Sequence, residues 1–166
     1  MQPPFRFAEQ FDLYSLWNAK RATRRMPDRA DLSTTDLRPW LGEMHLLEVL
    51  ENGRDFRYLV YGTDIGRYLD LEMTRRLVSE WPDEMRKAAL LTYSRVTKDA
   101  CPYLVRQNEF ALGRLHSNHR LVLPLSRAGG AVGFILAHLH MIPVNEEDTG
   151  LFYHALPPGP AGETNA

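Results

Sequence analysis

Two short apolar runs separated by a polar break constrain this chain more than any other feature. Residues 44–50 and 56–61 are rich in aliphatic and aromatic side chains, and Glu51-Asn52-Gly53-Arg54-Asp55 lies between them. Asn-Gly in such a break is a hairpin signal because both residues tolerate positive φ, so the runs are expected to pair antiparallel. Residues 63–71 and 73–78 then read as short helical turns. Residues 83–99 read as a full helix, with Met85, Ala88, Ala89, Leu90, Leu91, Tyr93 and Val96 available for burial. Pro82 precedes that helix and Cys101-Pro102 follows its end. Three more runs, 103–111, 114–126 and 131–142, are punctuated by Gly113 and Ala128-Gly129-Gly130. Two strands, a set of helices and three strands make an α+β fold, a five-stranded antiparallel sheet in spatial order 2-1-5-4-3 with helices on one face.

An N-terminal helix is expected over residues 7–24. At 100° per residue Phe7, Phe11, Leu13, Tyr14 and Trp17 share one side, widened by Leu16, and Glu9, Asp12, Ser15 and Ala19 lie opposite. Lys20, Arg21, Arg24 and Arg25 crowd its last turns, where cations meet the negative end of the helix dipole, and Pro27 is expected to stop it. So broad an apolar face needs cover. The expectation is a homodimer built on this helix, the alternative being that the helix folds back over the outer face of its own sheet. Ser33-Thr34-Thr35-Asp36 supplies N-cap residues for a short second helix containing Leu37, Trp40 and Leu41, with Pro39 in its first turn.

Composition narrows the partners. With 20 Lys plus Arg against 21 Asp plus Glu there is no global field to draw the chain onto nucleic acid or anionic lipid. The single cysteine, Cys101, excludes an internal disulfide and fits a reducing compartment. The first residues, Met-Gln-Pro-Pro-Phe-Arg-Phe, carry no apolar stretch of signal-peptide length, and no window approaches the roughly 18 apolar residues of a spanning helix. The expectation is a soluble cytoplasmic protein, no nucleic acid and no membrane, with residues 1–156 as one domain and 157–166, rich in Pro and Gly, as a disordered tail.

Three blocks resemble a known family. Arg25-Met26-Pro27-Asp28-Arg29-Ala30-Asp31-Leu32 is similar to the run that leads from an N-terminal helix into the sheet in bacterial stand-alone PAS-domain proteins. Phe56-Arg57-Tyr58-Leu59-Val60-Tyr61-Gly62-Thr63-Asp64-Ile65 resembles that family's second strand, with the Gly-Thr that turns it into a short helix. Arg120-Leu121-Val122-Leu123-Pro124-Leu125-Ser126 with Gly129-Gly130 resembles its closing hairpin, so the likeness spans about residues 10 to 142. Thr74-Arg75 departs from it, since the family tends to carry Thr-Gly-Arg there. The resemblance implies a PAS-like sensory or regulatory module in signal transduction, non-enzymatic, enclosing a small-molecule ligand or docking a protein signalling partner. It names no cofactor. No kinase, cyclase or helix-turn-helix output segment is expected after the domain, so a signal is expected to pass through protein contact, the N-terminal helix or oligomerisation.

The residues expected to line the ligand-binding interior are Tyr58, Val60, Ile65, Leu69, Tyr93, Phe110, Leu121, Leu123 and Ile135, apolar positions that alternate along the strands or face them from helices. Each is equally an ordinary core residue. An enzyme reading has little to stand on: Walker, Gly-x-Gly-x-x-Gly, Gly-x-Ser-x-Gly and His-Glu-x-x-His signatures are missing. Glu48, alternating with Met44, Leu46 and Leu50, or a histidine is the candidate general base for a small cavity enzyme, against the plainer reading that Glu48 lies near an edge or pairs with an arginine. His138-x-His140 shares one strand face, and His116 and His119 lie on the preceding strand, so a haem or metal sensor depends on register. Lys20 to Arg29 is a basic cluster whose alternative role is pairing with Asp28, Asp31 and Asp36. Asp99-Ala100-Cys101-Pro102 does not resemble the flavin-reactive motif of blue-light PAS sensors.

Overall fold

The computed structural model describes residues 4–111, 114–144 and 152–156; the expected tail of 157–166 and the turn residue Gly113 lie outside them. The strands are β1 (Met44–Leu50), β2 (Asp55–Tyr61), β3 (Tyr103–Ala111), β4 (Arg114–Ser126), β5 (Val132–Pro143) and β6 (Phe152–Ala155). They form one antiparallel sheet in the order β2-β1-β5-β4-β3-β6. The first five stand in the expected order. The sheet has a sixth strand beyond them, because β6 pairs with Tyr103–Arg106 of β3 and satisfies part of an edge that otherwise faces water. Four residues are too few to show a period of two, which is why pattern alone misses β6.

The β1–β2 hairpin is turned one residue earlier than Asn-Gly suggests. Gly53 N–H donates to the Leu50 carbonyl (2.9 Å), so the central pair is Glu51-Asn52, at φ 49° and 56°. A glutamate thus occupies a left-handed position that asparagine or glycine fills more easily.

Helices cover both faces. On one lie α3 (Thr63–Leu69) and α4 (Asp83–Asp99), packed over Leu47, Phe56, Tyr58, Ile135, Ala137 and Leu139. On the other lie α1 (Ala8–Arg21) and α2 (Thr34–Leu37), with Leu13, Trp17, Leu32 and Leu37 packed on Met44, Leu46, Leu121, Leu123, Leu125 and Leu136. Ser33, one of the expected N-cap residues, forms a capping box with Asp36, but α2 ends at Leu37, so Pro39, Trp40 and Leu41 fall in the 3-10 turn Arg38–Glu43 that follows it.

The broad face of α1 is therefore covered by its own sheet. Leu13 and Trp17 are fully buried, the Trp17 indole N–H donates to the Pro124 carbonyl (2.9 Å), and Gln10 Nε2 donates to the His119 carbonyl (3.0 Å). Phe7, Phe11, Tyr14 and Leu16 stay half-buried. The surface that suggested a second copy is largely used within the monomer.

α1 also ends earlier than Pro27. Ala22 adopts φ 52° and its N–H returns to the Ala19 carbonyl, closing the helix after Arg21. The basic cluster ties down the chain that follows. Arg21 donates to Asn18 and to the carbonyls of Ala22 and Arg24, Arg24 to the Lys20 and Arg21 carbonyls, and Arg25 to the Asp99 carbonyl. Arg24–Asp31 (2.7 Å) and Lys20–Asp36 (3.2 Å) are ion pairs. Asp28 accepts from Ala30 N–H, Ser126 Oγ and Gly129 N–H at 2.9–3.1 Å, so the first and third family-like blocks are joined directly. These amide bonds hold its carboxyl below the ordinary carboxylate range.

Candidate ligand cavity

Side-chain alternation along the strands decides which residues meet under α4. On β4 the even positions Asn118, Arg120 and Val122 face α4, and the odd positions Leu121, Leu123 and Leu125 face α1. On β2 a bulge changes the phase: Leu46 pairs with Val60 and Leu47 with Tyr58, leaving Leu59 unpaired in register. Phe56 and Tyr58 face α4 before the bulge, Tyr61 faces it after, and Val60 is turned to the α1 side. On β1 the same side receives His45, buried to 3 % exposure.

The result is a cavity of ≈ 30 Å³ between the sheet and α4, lined by His45, Tyr58, Tyr61, Leu69, Trp81, Met85, Ala89, Tyr93, Asn118, Arg120 and Leu139. Its walls are aromatic and aliphatic, its floor polar. A second hollow, ≈ 130 Å³, lies on the opposite face among Arg6, Gln10, Arg106, His119, Phe152 and His154. The smaller one is the better candidate site because an unpartnered polar group faces it: Asn118 is 1 % exposed, and neither its Oδ1 nor its Nδ2 has a hydrogen-bond partner among the described residues. A buried polar group left unmet costs about 1–3 kcal/mol, so such a carboxamide marks a place for an occupant.

The neighbouring groups are set by their own bonds. Gly62 N–H donates to His45 Nδ1 (3.3 Å), and the ring also hydrogen-bonds the Met44 backbone. The imidazole stacks on Tyr61 (4.2 Å between centroids) and meets Tyr58 edge-on. Burial and then the nearby Arg120 charge push His45 down to about 3, so the ring is neutral at ordinary pH. Trp81 Nε1–H donates to the Tyr58 hydroxyl (3.1 Å), and burial keeps that phenol protonated. Arg120, 5 % exposed, acts electrostatically on both His45 and Tyr58.

Of the expected lining, Tyr58, Leu69 and Tyr93 reach the cavity, and Ile65 and Ile135 belong to the core beside it. Val60, Leu121 and Leu123 do not: they pack under α1 on the other face, for the reasons of bulge and strand parity given above. Position 110 lies in β3, and the Phe110 side chain is outside the described residues. His45, Asn118 and Arg120 escaped the sequence reading, which sought apolar residues, and Tyr61, Trp81, Met85, Ala89 and Leu139 escaped it because nothing in the sequence separates them from ordinary core. Arg120 carried a usable signal with Asn118, since the polar stretch Ser117-Asn118-His119-Arg120, set directly before the apolar run Leu121-Val122-Leu123, is unusual in a covered strand.

The other candidates are dispersed. Glu48 is half-buried and paired with Arg127 (2.9 Å) and Arg57 (3.7 Å), away from the cavity. His119 and His140 are cross-strand neighbours against the Phe7 ring, and His140 pairs with Glu9 (2.9 Å). His138 lies against Glu43 (3.3 Å), and His116 hydrogen-bonds Tyr68 of α3. Among the described residues no group of three or more His, Cys, Asp or Glu is arranged to hold a metal. Burial pushes the Cys101 thiol up, away from the thiolate that reactive cysteines need. No described helix is long and apolar enough to cross a membrane.

No curated protein matches the chain significantly. Residues 6–139, from the approach to α1 through most of β5, match the family described as PAS domain. That span contains all the cavity residues, and its strand order and helical cover are those of the sheet described above. The chain belongs to the PAS domain family.

Proposed function

We propose that this chain is a non-enzymatic, soluble cytoplasmic PAS module that binds a small ligand in the cavity under α4 and passes the bound state to a protein partner in signal transduction. What supports this is the Asn118 carboxamide, buried and unpartnered at a cavity that also receives Arg120, His45 and Tyr58. Family membership supports a sensory or regulatory role. Glu48, the carboxylate weighed as a general base, is occupied by two arginines, which favours binding over turnover.

Ligand binding beside Tyr93 and Ala89 would alter how α4 rests on the sheet, and α4 is the element best placed to report occupancy. Self-association through α1 would have to use the half-buried Phe7, Phe11, Tyr14 and Leu16, and the reading does not depend on it. The test is mass spectrometry of small molecules released on denaturing natively purified protein, alongside the Asn118→Leu variant. A molecule released from wild type and missing from the variant supports the reading. A cavity that releases nothing, in a protein that no compound of a broad thermal-shift screen stabilises, overturns it.

A further inference from the structure

We infer that the face where the end of α4, the chain after α1 and the β4–β5 turn meet docks an acidic, extended segment of a protein partner. The inference rests on the proposed signalling role and names the surface that serves it. Two adjoining open grooves, ≈ 390 Å³ and ≈ 420 Å³, share Thr97, Ala131 and Val132. Four cations from three parts of the chain line them: Arg24 and Arg25 after α1, Lys98 in α4 and Arg127 after β4. No described lining residue is a carboxylate. Lys98 is exposed and Arg25 donates to the neutral Asp99 carbonyl (2.7 Å), and neither forms an ion pair with a described residue. Arg24 and Arg127 pair with Asp31 (2.7 Å) and Glu48 (2.9 Å), yet their side chains stay 46 % and 54 % exposed. Surface pairs of that kind are weak enough to be shared with an incoming carboxylate. The acids nearest in sequence are engaged elsewhere. Asp99 accepts from the Tyr103 hydroxyl (2.6 Å), and Asp28 from Ala30 N–H, Ser126 Oγ and Gly129 N–H. A local positive field thus survives on a chain whose net charge is −1.

Charge complementarity selects the occupant, and shape narrows it. Between the cations the grooves are aliphatic, with Met26, Val49, Ala100 and Val132, so a chain that alternates acidic and apolar side chains matches both features. A nucleic acid would want rings to stack on, and no described aromatic residue lines either groove. A bilayer is flat and is entered by exposed large apolar side chains, none of which lines these hollows. The place also suits a signalling role. α4 carries Ala89 and Tyr93 of the cavity and, a turn further on, Thr97 and Lys98 of the grooves, so a shift of α4 on the sheet alters both sites together.

Fluorescence anisotropy of the whole chain with a labelled peptide alternating glutamate and leucine tests this. Its glutamine counterpart, labelled single-stranded DNA and co-sedimentation with phosphatidylserine vesicles are the comparisons. The glutamate peptide should bind saturably, less tightly as salt rises, and the glutamine peptide about tenfold or more weakly. Lys98→Glu reverses an exposed charge that pairs with no described residue and should weaken binding by about tenfold or more. Ala131→Glu sets a carboxylate on an exposed residue where the grooves meet and should do the same, which decides the matter if the first variant fails to fold. Arg67→Glu makes the same reversal in α3, beyond the opposite end of β2, and should leave binding unchanged. Equal binding of the two peptides, affinity that survives Lys98→Glu and Ala131→Glu, an equal loss with Arg67→Glu, or no binding at all would overturn the inference. Tighter binding of DNA or vesicles, abolished by Lys98→Glu, would overturn the protein partner in favour of that surface's other occupant. Peptide binding by a protein that releases no small molecule and that no compound stabilises would leave the docking surface standing and remove the ligand. A released ligand without peptide binding would do the reverse.

Discussion

The indole N–H of Trp17 in α1 donates to the Pro124 carbonyl in β4 at 2.9 Å. This carbonyl is acceptor to a helix instead of a strand at a point where proline breaks the N–H rhythm of β4, so helix and sheet are joined by a directed bond inside an apolar layer. Trp17→Phe leaves Pro124 O unmet and should cost about 1–3 kcal/mol. Trp17→Ala should cost about 3–5 kcal/mol. Trp17→Glu should unfold the domain, where a helix serving only as a dimer contact would yield a folded monomer. Circular dichroism with light scattering separates these outcomes.

Arg75 sits at φ 69°, at the position where the resembling family carries glycine. Its N–H donates to the Tyr58 carbonyl (2.7 Å) and the Arg76 carbonyl accepts from Tyr58 N–H (3.0 Å), so the turn is clamped to the edge of β2 and cannot relax. A left-handed L-residue costs about 1–2 kcal/mol, part of which glycine returns as unfolded-state entropy. Arg75→Gly should therefore stabilise by about 0.5–1 kcal/mol in urea unfolding; destabilisation would show that the arginine side chain contributes more than the strain.

Gly62 is needed for space. A Cβ there would lie 2.5 Å from the Gly42 carbonyl and 2.9 Å from Met44 N and O, all backbone atoms that cannot swing aside. Gly62→Ala should destabilise by about 1–3 kcal/mol and, because Gly62 N–H holds His45 Nδ1, should also loosen the cavity. A variant as stable as wild type would contradict the close approach.

His45 makes stability fall in mild acid. Its folded pKa is depressed to about 3 from 6.5, so below 6.5 the unfolded chain takes up a proton that the folded chain refuses. Stability is thus fully present above pH 6.5 and is lost as pH falls towards the folded value. From pH 7 to 5 this amounts to about 2 kcal/mol, with His138, also depressed by burial, acting in the same direction. His45→Gln should flatten the dependence between pH 6.5 and 5, above the range where most carboxylates titrate. An unchanged slope would show that His45 is protonated in the fold.

Sequence by itself determined the five strands of the central sheet, their order, the length of α4 and the capping of α2, because period, turn chemistry and caps are local properties. The family-like blocks were legible for the same reason, and Asp28 with Ser126 and Gly129 explains why two of them occur together. Tertiary structure alone decided the rest. The Leu59 bulge sets which of Val60 and Tyr61 faces α4, and a phase change of one residue is invisible in a run where both are apolar. β6 exists because β3 offers an unpaired edge, and α1 ends at Ala22 because arginines bond the carbonyls that follow. The polar floor of the cavity, His45, Asn118 and Arg120, is assembled from two strands more than 70 residues apart in the chain, and only the pairing of both with β5 brings those side chains under one helix.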